Sequence, residues 1–316
     1  MQDLASRTAH QVASALKNNG VPYLFGIPGG GSSIDLIEAC KEQDIPFVLV
    51  QHETTAAMMA VVVGELTDTC GACISIMGPG ATNLVSGAIY AQLERHPLLC
   101  FTETYGPAEG PLTSMQNIDH PHLFGSLSKG SFCITAADPA GQIDRAIQIA
   151  NEERPGAVHI DLPIKPGTGD AQTETAPESE HSTAVGDLEA IAGTIGKAKK
   201  PLIIAGPVVY RQGAADNLVA LAERLQSAVA VTSKARGVIP EDHPLYAGVV
   251  CGVYAEGTLE AELIGRSDLI IAVGLDRTEL LSPWKHEQTL VLSLIHISEP
   301  TRRTPISYAV FCLKKK

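Results

Sequence analysis

The chain has 316 residues, 45% of them hydrophobic and 18% charged, which is long enough for two domains and too apolar for a disordered chain. Its formal net charge of −12 argues against nucleic acid and anionic membranes as partners. The opening MQDLASRTAH lacks the basic and apolar regions of a signal peptide, and the uncharged run Thr54 to Val63 is too short to span a bilayer, so a cytoplasmic location is expected.

Ala9, Val12, Ala13 and Leu16 fall at helical spacing and predict a first amphipathic helix over Ala5 to Asn18, with Gly20 placed as its C-terminal cap. Tyr23 to Ile27 reads as a short strand entering the turn Gly26-Ile-Pro-Gly-Gly-Gly-Ser-Ser33, after which Ile34, Leu36, Ile37 and Cys40 mark a helix. A Gly-rich turn between strand and helix can cradle a phosphate on backbone N–H groups. Here Ser32 follows Gly31 where a P-loop needs Lys, and GxGxxG is absent. A tight turn that admits a close neighbour to the backbone is the competing reading.

Val48, Leu49 and Val50 predict a fully buried strand, and Thr54 onward predicts a helix with Ala56, Ala57, Met59, Ala60 and Val63 inward. Glu53, preceded by His52, therefore falls at a strand-to-helix corner. In a parallel sheet such corners lie at the carboxyl ends of strands, where ligands bind. A carboxylate in a first helical turn also has a plain structural use, worth about 0.3 to 1 kcal/mol against the helix dipole. Ala72 to Met77 predicts the next strand, which Gly78-Pro-Gly-Ala-Thr-Asn83 turns into a helix through Leu93. Leu98 to Thr102, Ser131 to Thr135 and Ala157 to Leu162 supply further strands, with a helix at Pro139 to Asn151. Six strands alternating with helices imply an α/β fold with a doubly wound parallel sheet. Between the fourth and fifth strands a long polar segment, Gly106 to Lys129, holds Gln116, Asp119, His120 and His122. Loops of that length are functional or disordered.

The first domain is thus placed at residues 1–165. Residues 166–186, rich in Pro, Gly, Thr and Glu, read as a linker. A second, truncated Rossmann-like domain is expected over 187–291, with helices at Asp187 to Lys197, Ala214 to Leu225 and Ala255 to Ile264. Its strands are expected at Leu202 to Ala205, Ala228 to Thr232 and Leu269 to Val273. Seven cysteines, among them Cys40, Cys100 and Cys133 in apolar stretches, read as buried small hydrophobes. Cys70 and Cys73 form one CxxC with no second pair, too few ligands for structural zinc, and no metal ligands are assigned.

Taken together, the turn with Pro28, the pair His52-Glu53 and the turn with Pro79 and Asn83 resemble the pyrimidine-binding domain of thiamine-diphosphate enzymes, most of all the acetolactate synthase group. Gln116 with Asp119, Lys129 and Arg154-Pro-Gly-Ala-Val-His-Ile-Asp-Leu-Pro163 extend the resemblance. Lys234-Ala-Arg-Gly-Val-Ile-Pro-Glu-Asp-His-Pro244 and Ser267-Asp-Leu-Ile-Ile-Ala-Val-Gly274 are similar to the family's central domain. The likeness covers about Ala5 to Leu290, and its specificity lies in the ordered set rather than in any one motif.

The resemblance implies thiamine diphosphate as cofactor and Glu53 as the catalytic carboxyl that hydrogen-bonds N1′ of the aminopyrimidine, so that the neighbouring amino group can take the C2 proton. It implies Ile27, Pro28, Pro79 and Asn83 as further cofactor contacts, and Gln116 as a residue approaching the reacting centre. Ile27 stands where synthases usually carry an aromatic residue, and Leu93-Glu-Arg-His-Pro97 departs from their Asp-Ser-x-Pro. His120 and His122 have no counterpart in the synthase pattern; substrate contact and plain loop exposure are both open for them. Mg²⁺ would be held by a third domain with a Gly-Asp-Gly and a later Asn, which this chain lacks. The resemblance leaves FAD in the central domain open. It further implies a 2-oxo acid substrate, carboligation after decarboxylation, and a homodimer or homotetramer. A plain 2-oxo acid decarboxylase and a non-catalytic binding protein of the same fold are the alternatives.

Residues 292–316 resemble the conceptual translation of a synthetic sequencing-library adapter, in two blocks, Leu292 to Arg302 and Ile306 to Lys316. They are expected not to be native protein, which resequencing the source across this junction tests.

Overall fold

The computed structural model describes residues 4–169, 173–175, 188–281 and 289–293. The chain divides into two compact units, Met1–Glu178 and Ser179–Lys316. Among the described residues no helix is long and apolar enough to cross a membrane.

In the first unit α1 (Leu4–Asn18) buries Ala9, Val12, Ala13 and Leu16, as its spacing dictates, and ends at Gly20 with φ +74°. There follow β1 (Leu24–Gly26), α2 (Ser32–Glu42), β2 (Phe47–Leu49), α3 (Glu53–Thr67), β3 (Gly71–Ser75) and α4 (Pro79–Glu94). Then come β4 (Leu98–Thr104), α5 (His120–Phe124), β5 (Gly130–Cys133), α6 (Pro139–Asn151), β6 (Ala157–Pro163) and β7 (Thr173–Thr175). The sheet order is β2-β1-β3-β4-β6-β5-β7, with every pairing parallel except β5 with β7. The central strands feed both faces by simple alternation. Ala72, Ile74, Leu99 and Phe101 join the core under α1, α2 and α6, while Cys73, Leu98 and Cys100 join the core under α3 and α4.

The six parallel strands are those read from the sequence, and three details differ. β2 is an edge strand, so Phe47 and Val48 are only half-buried and Leu49 is 68% exposed; an apolar run cannot reveal that it has a neighbour on one side alone. In α3 the inward residues are Glu53, Ala56, Ala57, Ala60, Val61 and Gly64, while Met59 faces out and Val63 is half-buried. Within the segment expected as a linker, residues 173–175 form β7, which pairs antiparallel along β5, and residues 170–172 and 176–186 of that segment lie outside the described residues.

The second unit comprises α7 (Leu188–Lys197), β8 (Pro201–Ala205), α8 (Val208–Arg211), α9 (Ala215–Leu225), β9 (Ala228–Thr232), β10 (Tyr246–Val250), α10 (Leu259–Arg266), β11 (Leu269–Val273) and β12 (Thr289–Ser293). All pairings are parallel, in the order β10-β9-β8-β11-β12, so the chain reverses direction of winding between β8 and β11. Sequence periodicity misses β10 because its register shifts between Tyr246 and Gly248, and Gly248 has φ +110°. It also starts the last helix too early: Thr258 caps α10 by accepting from Ala261 N, and residues before it form a turn. β12 runs two residues past the boundary expected at Leu292, and residues 294–316 of the proposed adapter segment lie outside the described residues.

Candidate functional site

In the first sheet β1 stands between β2 and β3, and the chain passes from β1 to β2 on one side before crossing to β3 on the other. A ligand crevice is expected at the carboxyl ends of strands flanking such a reversal. The three turns singled out in the sequence leave those ends: Ile27 to Gly31 after β1, His52-Glu53 after β2, and Gly78 with the start of α4 after β3.

Glu53 is the first residue of α3 and is 6% exposed. The helix is capped not by Glu53 but by His52, whose Nδ1 accepts from Thr54 N at 3.2 Å. Asn83 Nδ2 donates to Glu53 Oε2 at 2.9 Å, and Thr54 Oγ1 donates to Asn83 O at 2.6 Å, which ties the first turns of α3 and α4 together. Among the described residues no hydrogen bond reaches Oε1, the carboxylate oxygen that packs against Gly80. The site therefore holds a buried carboxyl with one oxygen fixed and the other available to a donor. Pro79 opens α4 at its N-terminus, and Ile27 and Pro28 are half-buried beyond β1.

Gln116 is placed differently. Its side chain is exposed, its backbone has φ +55°, and its carbonyl lies against Gly78. The structure thus brings Glu53, Asn83 and the Gly78 turn together, and brings Gln116 to them through its backbone.

Sequence reasoning missed Glu103. This residue, near the end of β4 and 2% exposed, accepts at Oε2 from Gly31 N at 3.0 Å, Ser33 N at 3.1 Å and Ser33 Oγ at 2.7 Å. Ser33 Oγ in turn accepts from Gly29 N at 2.8 Å. The position at the N-terminus of α2 where a phosphate would bind is filled by the protein's own carboxylate. The close-neighbour reading of the turn therefore holds over the phosphate reading. An acidic residue at the carboxyl end of an otherwise apolar strand was the available signal.

His120 is also not an exposed loop histidine: it is 1% exposed, with Asp161 Oδ1 2.7 Å from its Nδ1 and Gly78 N donating to its Nε2 at 3.1 Å. His122 is exposed on α5. Neighbouring His159 is fully buried, stacked on Phe124 at 4.3 Å, and burial pushes its imidazolium down to about 4. Cys40, Cys70, Cys73 and Cys100 are buried free thiols. Burial pushes those of Cys40 and Cys133 up to about 12, which makes them inert as nucleophiles near neutral pH.

Residues 6–123 match the family model of the thiamine pyrophosphate enzyme N-terminal TPP binding domain, and residues 188–312 that of the thiamine pyrophosphate enzyme central domain. The chain is 32% identical over 278 residues to a probable acetolactate synthase large subunit of Methanocaldococcus jannaschii. It is 32% identical over 277 residues to the acetolactate synthase isozyme 2 large subunit of Escherichia coli, and 31% over 278 residues to an acetolactate synthase of Mycobacterium leprae. Each alignment takes in 84% of this chain and 46%, 49% and 44% of the respective relative. The chain spans about half the length of the curated relatives it matches.

Proposed function

The chain belongs to the thiamine pyrophosphate enzymes, carrying their N-terminal and central domains, and from this we propose that the protein it represents is a synthase of the acetolactate type acting on 2-oxo acids. The single observation that carries the reading is Glu53: buried at the carboxyl end of the sheet, fixed at Oε2 by Asn83, and open at Oε1.

The residues present fit the aminopyrimidine half of thiamine diphosphate. Ile27, Pro28, Pro79 and Asn83 would line it, and Glu53 would face its ring nitrogen. When bound, the cofactor supplies the electron sink for decarboxylation of a 2-oxo acid. Glu53 would share a proton with the ring nitrogen, and Asn83, bound to Oε2, would fix the carboxyl's orientation. Gln116 is proposed to approach the substrate side. Mg²⁺ and the diphosphate would be held by a domain outside this chain, and FAD is decided by the absorption spectrum of the purified full-length protein. We place the protein in the cytoplasm.

Helix α3 supports an assembly. Met58, Met59, Val62 and Leu66 recur at helical spacing on its outer face and are 39%, 38%, 43% and 80% exposed. With Leu93 of α4 they form the face that a second copy would cover in a homodimer or a tetramer built from it. The departures at Ile27 and Leu93 to Pro97 favour keeping simple decarboxylation as the second reading, which product analysis separates: a carboligated 2-hydroxy-3-oxo acid against a free aldehyde.

The test is Glu53→Gln in the full-length protein. Folding should be retained and turnover should fall by about 10²- to 10⁴-fold, the range of lost proton-transfer catalysis. Near-normal exchange of the cofactor's C2 proton in that variant would overturn the assignment.

A further inference from the structure

Beneath the Gly78 turn lies a buried polar chain that the catalytic reading does not use. Asp161, on β6, is 5% exposed; its Oδ1 accepts from Thr102 Oγ1 at 2.7 Å and lies 2.7 Å from His120 Nδ1. Thr102 Oγ1 is 2.8 Å from His159 Nε2, and His159 Nδ1 is 2.7 Å from Ser131 Oγ. His120 Nε2 meets the backbone N–H of Gly78 at 3.1 Å.

One assignment of protons satisfies every contact. Gly78 N–H can only donate, so His120 Nε2 must accept and carries no proton. The ring is then neutral with its proton on Nδ1, donated to the Asp161 carboxylate. Thr102 spends its hydroxyl proton on Asp161, so its oxygen accepts from His159 Nε2–H. His159 Nδ1 is left to accept from Ser131. Burial, which holds His159 uncharged, agrees with this.

His120, His159 and Asp161 also have the composition of a metal site, with ligand atoms within 4.8 Å of one another. The space between them is already taken. Thr102 Oγ1 lies 2.7 Å from Asp161 Oδ1, 2.8 Å from His159 Nε2 and 3.3 Å from His120 Nδ1, where a cation would have to sit.

We propose that His120 is a positioning residue for the site: held by Asp161 as its Nδ1–H tautomer, it anchors Gly78 and so sets the α4 N-terminus that carries Gly80 and Asn83 to Glu53. Gly78 has φ +63°, a conformation unfavourable for other residues, and its N–H is buried. An acceptor for that N–H keeps the turn closed. The consequence for Glu53 rests on the functional reading above; the tautomer and the anchor do not.

The histidine's two nitrogens can be replaced one at a time. In His120→Gln the amide oxygen falls near the place of Nε2 and can still accept from Gly78; in His120→Asn the amide falls near the place of Nδ1 and keeps only Asp161. Nitrogen-15 resonances of the 316-residue chain at neutral pH should show His120 with a protonated Nδ1 and a bare Nε2. Gly78 amide exchange should rise about tenfold in His120→Asn, what one lost hydrogen bond is worth, and stay near wild type in His120→Gln. The Asn83 side-chain amide resonances should follow the same pattern. A protonated Nε2 in the wild-type chain would overturn the proposal without any variant having to fold. So would unchanged Gly78 exchange in a cooperatively folded His120→Asn chain, or tetrahedral Co²⁺ absorption bands on adding that metal alone that disappear in Asp161→Asn. Failure of the Glu53 reading would show in C2 proton exchange and leave these resonances unmoved.

Discussion

Two buried acidic residues a few strands apart differ in how they are held. Glu103 accepts three hydrogen bonds at Oε2, from Gly31 N, Ser33 N and Ser33 Oγ, and ties the Gly-rich turn to β4, while among the described residues Glu53 accepts one, from Asn83 Nδ2. Removing the Glu103 carboxylate by Glu103→Ala strands buried donors at the start of α2 and should cost about 3 kcal/mol, read as a lowered urea midpoint with an unchanged slope. His159 gives the residue-scale pH dependence. Its folded value is depressed to about 4, whereas the unfolded chain takes up a proton at about 6.5. The unfolded state therefore binds the extra proton as pH falls. The contribution is fully present above pH 6.5 and is lost toward pH 4, amounting to about 3 kcal/mol. Unfolding free energies measured from pH 7 to 4 should show this slope, and His159→Gln should flatten it.

At the scale of elements, the site depends on how closely α3 and α4 approach, since Thr54, Glu53 and Asn83 bridge their first turns. Gly87 makes that approach feasible: a Cβ there would collide with the Cβ of Ala57 on α3. Alanine in place of Gly87 gains about 1 kcal/mol of helix propensity but must push two packed helices apart, which costs about 1 to 3 kcal/mol. Gly87→Ala should therefore be neutral to destabilising, and should perturb Glu53 more than its stability change suggests. Measured stabilisation with unchanged Asn83 resonances would show that the two helices part without strain. The edge position of β2 belongs to the same scale. Its apolar residues are spelled like those of a central strand, and only the pairing order leaves Leu49 in solvent.

At the scale of the molecule, the outward methionines of α3 gain a purpose if a second copy covers them. Placing charge there, as in Met59→Glu with Val62→Glu, should weaken self-association of the full-length protein by about tenfold or more, because an ion in an apolar interface is left unpaired. Sedimentation against concentration measures it. A full-length protein active as a monomer at assay concentration would rule the assembly out.

The α/β class, the six parallel strands and the corner position of Glu53 were legible from sequence because they follow from local patterns: apolar runs, helical spacing and Gly-rich turns. Those patterns also carried the family likeness. They could not show which strand is an edge, that the Gly-rich turn closes on Glu103, or that His120 is buried against Asp161. The last two are contacts between residues 72 and 41 positions apart, and all three follow from the β2-β1-β3-β4-β6-β5 pairing. Local pattern placed Glu53 at its corner; strand order, which no local pattern carries, decided that Glu103 meets the Gly-rich turn, that Asp161 meets His120 and that Asn83 meets Glu53.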